Sequence, residues 1–215
     1  PKGVRIMYRN LINLIHSFGR ILYNNLKKQV NVGLLASFSF DASVKQIYNA
    51  LFYGHTLVIA DNKVKYFGRK IHVFHDCYSI DVCDITPSIL DIMTQQKSQV
   101  KSSVRFFLVG GENLKWETLR RYIKFVGYCP GFINVYGPTE CCVDVSYYYI
   151  NEDMIQDSVG YVPIGDPLCN TELFIVDDSG NYITTQNTLG EILVLGEQVG
   201  AGYVNLESQK FVNVN

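Results

Sequence analysis

From about residue 30 to residue 135, short apolar runs alternate with amphipathic stretches. Val32-Gly33-Leu34-Leu35-Ala36 has the length and content of a buried strand. Residues Ser43 to Phe52 place Val44, Ile47, Tyr48 and Leu51 at helical spacing, and Gly54 stands where a helix C-terminal cap belongs. Leu57-Val58-Ile59-Ala60, Ile80 to Ile85, Val104 to Val109 and Phe132 to Tyr136 predict four more strands. Pro87 suits the first turn of a helix after the third strand, Gly110-Gly111 closes the fourth, and Leu114 to Phe125 is amphipathic. Strands separated by helices predict βαβ units and a parallel sheet.

After about residue 145 the texture changes. Tyr147 to Ile150, Glu172 to Val176 and Glu191 to Leu195 predict strands, with a turn at Asp177-Asp178-Ser179-Gly180-Asn181. Gly160 to Ile164 reads as a turn into a strand, and Gln95 to Gln99 as a loop. The expected organisation is an α/β part over 1–145 and a β-rich part of the same domain over 146–215.

Composition narrows the classes. The chain has 215 residues, 47% hydrophobic and 18% charged, which excludes a disordered tail. Its 19 Lys and Arg against 20 Asp and Glu leave a formal charge of −1 and no basic run, so nucleic acid is not an expected partner. No apolar run reaches the ~18 residues of a membrane span, and no signal peptide opens the sequence. Six cysteines without a CxxC pair predict reduced thiols in a cytoplasmic protein. The opening Pro1-Lys2-Gly3, in place of Met, points to an excised fragment.

The densest chemistry is Asn134-Val135-Tyr136-Gly137-Pro138-Thr139-Glu140. It places an aromatic ring, a tight turn, a hydroxyl and a carboxylate at the C-terminal end of a strand, where open α/β sheets bind ligands. A tyrosine face can stack on a purine, and a Glu can bind Mg²⁺. On chemistry alone the plainer reading, a Gly-Pro turn with incidental polar neighbours, is the better one. Asp41, before Ala42 and Ser43, is on the same footing a helix N-cap. His16, His55, His72 and His75 have no partner at triad or metal spacing and read as surface or packing residues. Trp116, Tyr122, Ile123 and Phe125 read as core.

The full string resembles the NxYGPTE motif of nonribosomal peptide synthetase adenylation domains, members of the acyl-adenylate-forming, AMP-binding superfamily. Other pieces follow in that family's order: Pro1-Lys2-Gly3 at the end of the phosphate loop, Phe40-Asp41-Ala42-Ser43 (FDxS), Gly110-Gly111-Glu112 (GGE), Ile164 to Thr171 (IGxPxxNT) and Gly190 to Gly196 (GELxIxG). The chain departs from it at Gly200-Ala201-Gly202-Tyr203, where ARGY is usual, in a shortened stretch over 205–211, and at Tyr8, which replaces a His.

The resemblance implies an AMP-binding α/β domain using ATP and Mg²⁺. Tyr136 would stack on adenine, Asn134 would meet its amino edge, and Gly111, Glu112 and Gly137 would lie around the nucleotide. Thr139 and Glu140 would be catalytic, Thr139 on the phosphate and Glu140 on Mg²⁺. Asp41 would pair with the substrate's α-ammonium. Asp41, Ala42, Lys45, Asp84, Leu108, Gly110, Val135, Val143 and Asp144 would line the amino-acid pocket, in a pattern resembling glutamate-activating domains. Lys45, if not simply solvated, wants an anion. Asp84 and Asp144 would repel a glutamate side chain or suit ornithine, unless they pair with Lys45 or take up a proton; Gln in place of Lys45 resembles glutamine-activating domains. The implied partners are an amino acid, the phosphopantetheine thiol of a peptidyl carrier protein and a condensation domain. The 215 residues alone, without the rest of the phosphate loop, a TGD motif and a C-terminal subdomain, are expected to be inactive. The alternatives are an acyl-CoA ligase, which Asp41 argues against because such acids lack an α-ammonium, and a non-catalytic nucleotide-binding module.

Overall fold

The structure is a computed structural model that describes residues 2–26, 28–95, 102–205 and 211. Helix α1 (Tyr8–Ile21) opens it, followed by a short 3-10 turn at Tyr23–Asn25. Four βα units come next: β1 (Asn31–Leu34), α2 (Ala42–Phe52), β2 (Thr56–Ile59), α3 (Gly68–Cys77), β3 (Val82–Ile85), α4 (Pro87–Thr94), β4 (Phe106–Gly110) and α5 (Trp116–Val126). Then follow β5 (Gly131–Tyr136), β6 (Ser146–Ile150), α6 (Glu152–Asp157), β7 (Asp166–Pro167), β8 (Thr171–Val176) and β9 (Glu191–Gly196).

Strands β1 to β5 are parallel to their neighbours, as the alternation predicts, in the order β2-β1-β3-β4-β5. The strands after residue 145 are shared between two sheets. β6 and β7 add antiparallel to β5 and complete a seven-stranded sheet, while β8 and β9 pair in a separate two-stranded one. The sheet therefore crosses residue 145 without a break, because β6 satisfies the open edge of β5. Gly160 to Ile164 forms only an isolated bridge, Lys115 to Tyr161, before β7. The stretches 96–99 and 206–210 lie outside the described residues.

Strand alternation divides the core. Cys83, Ile85, Phe107, Val109 and Phe132 face α3, α4 and α5, packing with Ile71, Phe74, Leu90, Met93, Leu119 and Tyr122. Val32, Val82, Leu108, Ile133 and Val135 face α1 and α2, packing with Leu14, Phe18, Ile21 and Ala50. Helix α1 lies before the alternation that starts near residue 30 and is not among the predicted elements. Leu11, Leu14, Ile15 and Phe18 nevertheless recur at i, i+3, i+4 and i+7, which is the signal for it. Its buried polar residues have remote partners: Asn10 donates to the carbonyls of Glu197 and Val199, and Asn13 to that of Cys169. Helix α3 is also unassigned from sequence. His72 and His75, which lie on it, are packing residues, fully buried beside Tyr122 and Phe107. Among the described residues no helix is long and apolar enough to cross a membrane.

Phe107 is fully buried in the larger core, its ring centroid 5.8 Å from Phe132 and 5.3 Å from Tyr122. Phe107→Ala is expected to cost roughly 3–5 kcal/mol, read as a lowered midpoint in urea unfolding with an unchanged slope.

Candidate functional site

β1 has β2 on one side and β3 on the other, and the helices that follow β1 and β2 lie on opposite faces of the sheet. This is a topological switch point, and the crevice past the C-terminal ends of the strands is where such sheets take ligands. The loop after β1 carries Asp41 to α2. Asp84 lies in β3 opposite Leu108 of β4, and Gly110 lies opposite Val135 of β5. A Cβ on Gly110 would come within 2.6 Å of the Val135 carbonyl oxygen, so only glycine allows β4 and β5 to close here.

Lys45 joins this face from α2. The helix forms as the periodicity predicts, but it does not bury its apolar stripe: Tyr48 and Leu51 are exposed, while Ser43, Lys45, Gln46, Asn49 and Ala50 are buried. The reason is electrostatic. Lys45 is 1% exposed, and its Nζ lies 2.6 Å from Asp144 Oδ2 and 2.8 Å from Asp84 Oδ2, with the Phe18 ring 5.0 Å away. Asp84 and Asp144 are themselves 8% and 5% exposed. Of the readings open to Lys45, the solvated one is excluded by burial, and the two aspartates pair with it. Burial would push the ammonium down, and the carboxylates more than reverse that. Burial pushes the Asp84 carboxyl up to about 6; Lys45 opposes this, and Asp144 and Asp41 reinforce it. Asp144 is shifted upward by the same burial, against the pull of Lys45.

Asp41 occupies the N-cap position of α2, but its side chain makes no capping bond. Its carboxylate instead accepts a 2.5 Å hydrogen bond from Thr139 Oγ1, which joins the loop after β1 to the Gly-Pro turn after β5. Residues Thr139–Cys141 form a 3-10 turn that returns the chain toward β6. A Cβ on Gly137 would lie 2.4 Å from Asp144 Cα, so the two limbs of this loop meet backbone to backbone. Cys142 and Val143 both adopt positive φ, 51° and 80°. For a β-branched residue this is strained, and strain of this kind clusters at functional sites.

The remaining residues are placed as follows. Tyr136, 38% exposed, ends β5 at the mouth of the crevice. Asn134 is buried and donates its amide to the Pro163 carbonyl, 2.7 Å away. Glu112 accepts from the Ser88 amide and hydroxyl at the start of α4. Leu108 and Val135 are buried wall, and Ala42 opens α2. Glu140 accepts a hydrogen bond from the Tyr203 hydroxyl. Tyr203 is carried by a short antiparallel pairing in which Arg5 N–H reaches the Gly202 carbonyl and Val204 N–H the Gly3 carbonyl. In the sequence Tyr203 is only part of an altered motif; its contact with Glu140 joins residues about 60 positions apart and leaves no local signal. Among the described residues no group of three or more His, Cys, Asp and Glu could hold a metal ion. The donor set at the turn, one carboxylate beside a hydroxyl, fits Mg²⁺, which is commonly held by one or two carboxylates and substrate phosphates. All six cysteines are free.

A mostly parallel sheet with an aromatic, a hydroxyl and a carboxylate at the end of its fifth strand, beside a buried ionic cluster, defines an open α/β domain with polar groups gathered at its strand ends. Residues 1–204 match the AMP-binding enzyme family, and the chain belongs to it. It is 36% identical over 218 residues to bacitracin synthase 1 of Bacillus licheniformis, covering 99% of this chain and 4% of that protein. It is 36% identical over 210 residues to surfactin synthase subunit 1 of Bacillus subtilis (strain 168), covering 96% and 6%. The fold matches the Vibrio cholerae adenylation domain AlmE in complex with glycyl-adenosine-5'-phosphate, with TM-score 0.82 and 25% identity over 95% of this chain and 38% of that one. The chain thus spans a small part of these synthases and under half of the adenylation domain.

The raised Asp84 carboxyl fixes a pH dependence. The folded state holds its proton up to about pH 6 and the unfolded chain only to about 4. Stability from this group is full below pH 4 and is lost as pH rises through 6, a change on the order of 3 kcal/mol. Asp84→Asn is expected to flatten the unfolding free energy between pH 4 and 6.5, measured by urea titration at each pH; an unchanged slope would place the proton elsewhere.

Proposed function

We propose that the chain is part of an amino-acid-activating adenylation domain of a modular peptide synthetase. The activated substrate is L-glutamate, and the acyl group passes to the phosphopantetheine thiol of a peptidyl carrier protein beside a condensation domain. The observation that carries this reading is the convergence of Asp41, Thr139 and the Lys45 cluster on one crevice, in a chain of the AMP-binding enzyme family.

Asp41 would exchange the Thr139 hydroxyl for the substrate α-ammonium, a stronger partner for a carboxylate. Freed, Thr139 would donate to a phosphate oxygen. The exposed ring of Tyr136 offers a stacking face for adenine. With its amide nitrogen engaged on Pro163, Asn134 would turn its carbonyl oxygen to the adenine amino group. Gly111, Glu112 and Gly137 would border the nucleotide. Glu140, held meanwhile by Tyr203, would supply the carboxylate ligand for Mg²⁺. Bound there, Mg²⁺ would neutralise charge developing on the phosphates. The substrate carboxylate would form a bond to the α-phosphorus of ATP as the bond to pyrophosphate breaks. Alignment of the two reactants is the main contribution of this half of the site.

Lys45 is the cation of the pocket, and with Ala42, Leu108, Gly110, Val135 and Val143 it would receive the glutamate side chain. One observation favours a second reading. Two carboxylates surround one ammonium, so the cluster is net negative when all three are charged, which would suit a basic side chain such as that of ornithine. Amino-acid-dependent ATP–pyrophosphate exchange in the intact protein decides between them. Wild type is expected to prefer glutamate. Lys45→Gln is expected to lower glutamate kcat/KM by roughly 3 kcal/mol, on the order of a hundredfold, and to move the preference to glutamine. An ornithine-preferring wild type would make the two aspartates the recognition element. Undiminished glutamate preference in the variant would remove Lys45 from the pocket.

A further inference from the structure

We propose that Asp84 is the specificity-determining proton acceptor of the pocket: a substrate side-chain carboxylate enters only as Asp84 takes up a proton from solvent. This rests on the glutamate reading and adds to it a coupled reactant.

Lys45, Asp84 and Asp144 form a nearly dry cluster with one positive and two negative groups. The Lys45 ammonium has three hydrogens. Two lie toward the aspartates, and the Phe18 ring approaches the same nitrogen. A third carboxylate would bring two uncompensated negative charges into a site with one cation, and each uncompensated buried ion costs several kcal/mol. Moving Lys45 off an aspartate does not help, because the abandoned carboxylate is then unpaired. Water cannot dilute the charge in so enclosed a site. A single proton removes the excess: the cluster with bound glutamate returns to the net charge it has without it.

Geometry selects Asp84 over Asp144 as the acceptor. Asp144 makes the shorter contact with Lys45 and is hydrogen-bonded to it. Asp84 makes the longer one. Asp84 also faces the negative charge of Asp144, on the loop before β6, and of Asp41 at the start of α2, which acts on both carboxylates. Tyr23 from the turn after α1 and Cys83 of β3 complete its titratable surroundings. Burial pushes both Tyr23 and Cys83 upward, so they stay neutral and offer no compensating charge. Lys45 is the cation facing Asp84, and it is shared. The same surroundings already lift the Asp84 carboxyl to about 6 without substrate. Once protonated, Asp84 changes from an acceptor to a donor, and its hydroxyl can hydrogen-bond the incoming carboxylate directly. The step is a proton moving from water to a carboxylate oxygen; no bond of the substrate is made or broken.

The consequence is a pH-dependent affinity for glutamate. Above the Asp84 titration the apparent dissociation constant should rise toward tenfold per pH unit, because each binding event consumes one proton. The test is isothermal titration of L-glutamate into the intact protein at pH 6 to 8.5, in buffers of different ionisation enthalpy. The expected result is uptake of close to one proton per glutamate at pH 7.5 and a dissociation constant that climbs with pH. In Asp84→Asn the uptake and the pH dependence should both disappear. Glutamate binding without proton uptake in the wild type, at constant affinity across the range, would overturn the inference and leave the glutamate reading intact. Failure of glutamate to bind where another amino acid binds would overturn both. Retained uptake in Asp84→Asn would move the proton to Asp144 and overturn the assignment.

Discussion

The ammonium of Lys45 holds together three stretches that the sequence keeps far apart: the first turns of α2, the end of β3 and the loop that leads into β6. None of the three charges would be tolerated there alone. Removing the lysine would leave two buried carboxylates unpaired, and removing one aspartate would leave an ion pair of ordinary stoichiometry. The cluster therefore specifies which face of α2 turns inward. The helix leaves Tyr48 and Leu51 of its apolar stripe exposed and buries Ser43, Lys45, Gln46 and Asn49. Stability that an apolar face would supply is given up for a buried ionic cluster beside the strand ends.

The loop after β5 is shaped by close approach. Gly137 lets the backbone touch Asp144, and the left-handed residues Cys142 and Val143 return the chain so that Asp144 meets Lys45. The same turn sets the Thr139 hydroxyl on Asp41 and the Glu140 carboxylate under Tyr203. One short segment thus touches the ionic cluster, the loop after β1 and the segment near residue 203.

Legibility followed locality. The parallel strands, α4 behind its proline and the amphipathic α5 could be read because each is written in a window of under about a dozen residues. The chemistry of the 134–140 string was legible as a set of residue types, and the resemblance supplied its context. What escaped depends on distant partners. Asn10 and Asn13 look unsuited to a buried helix until the carbonyls of Cys169, Glu197 and Val199 are placed against them. The inward side of α2 could not be read from hydropathy, since its deciding partners lie at 84 and 144. Asp41 held the N-cap position by sequence logic, yet its carboxylate went to Thr139, because a hydroxyl 98 residues away was better placed than the amides beside it.

The pairing of Gly3 to Arg5 with Ala201 to Val204 has a consequence in time. It joins segments about 200 residues apart, and closing so long a loop yields few contacts until everything between has folded. At ~5–20 residues per second, the first of these segments waits on the order of ten seconds or more for its partner during synthesis. The sheet can form before that partner arrives, while the hydroxyl that holds Glu140 comes with it. Assembly of the crevice is therefore ordered: its walls are built before the residue that holds its turn carboxylate is delivered.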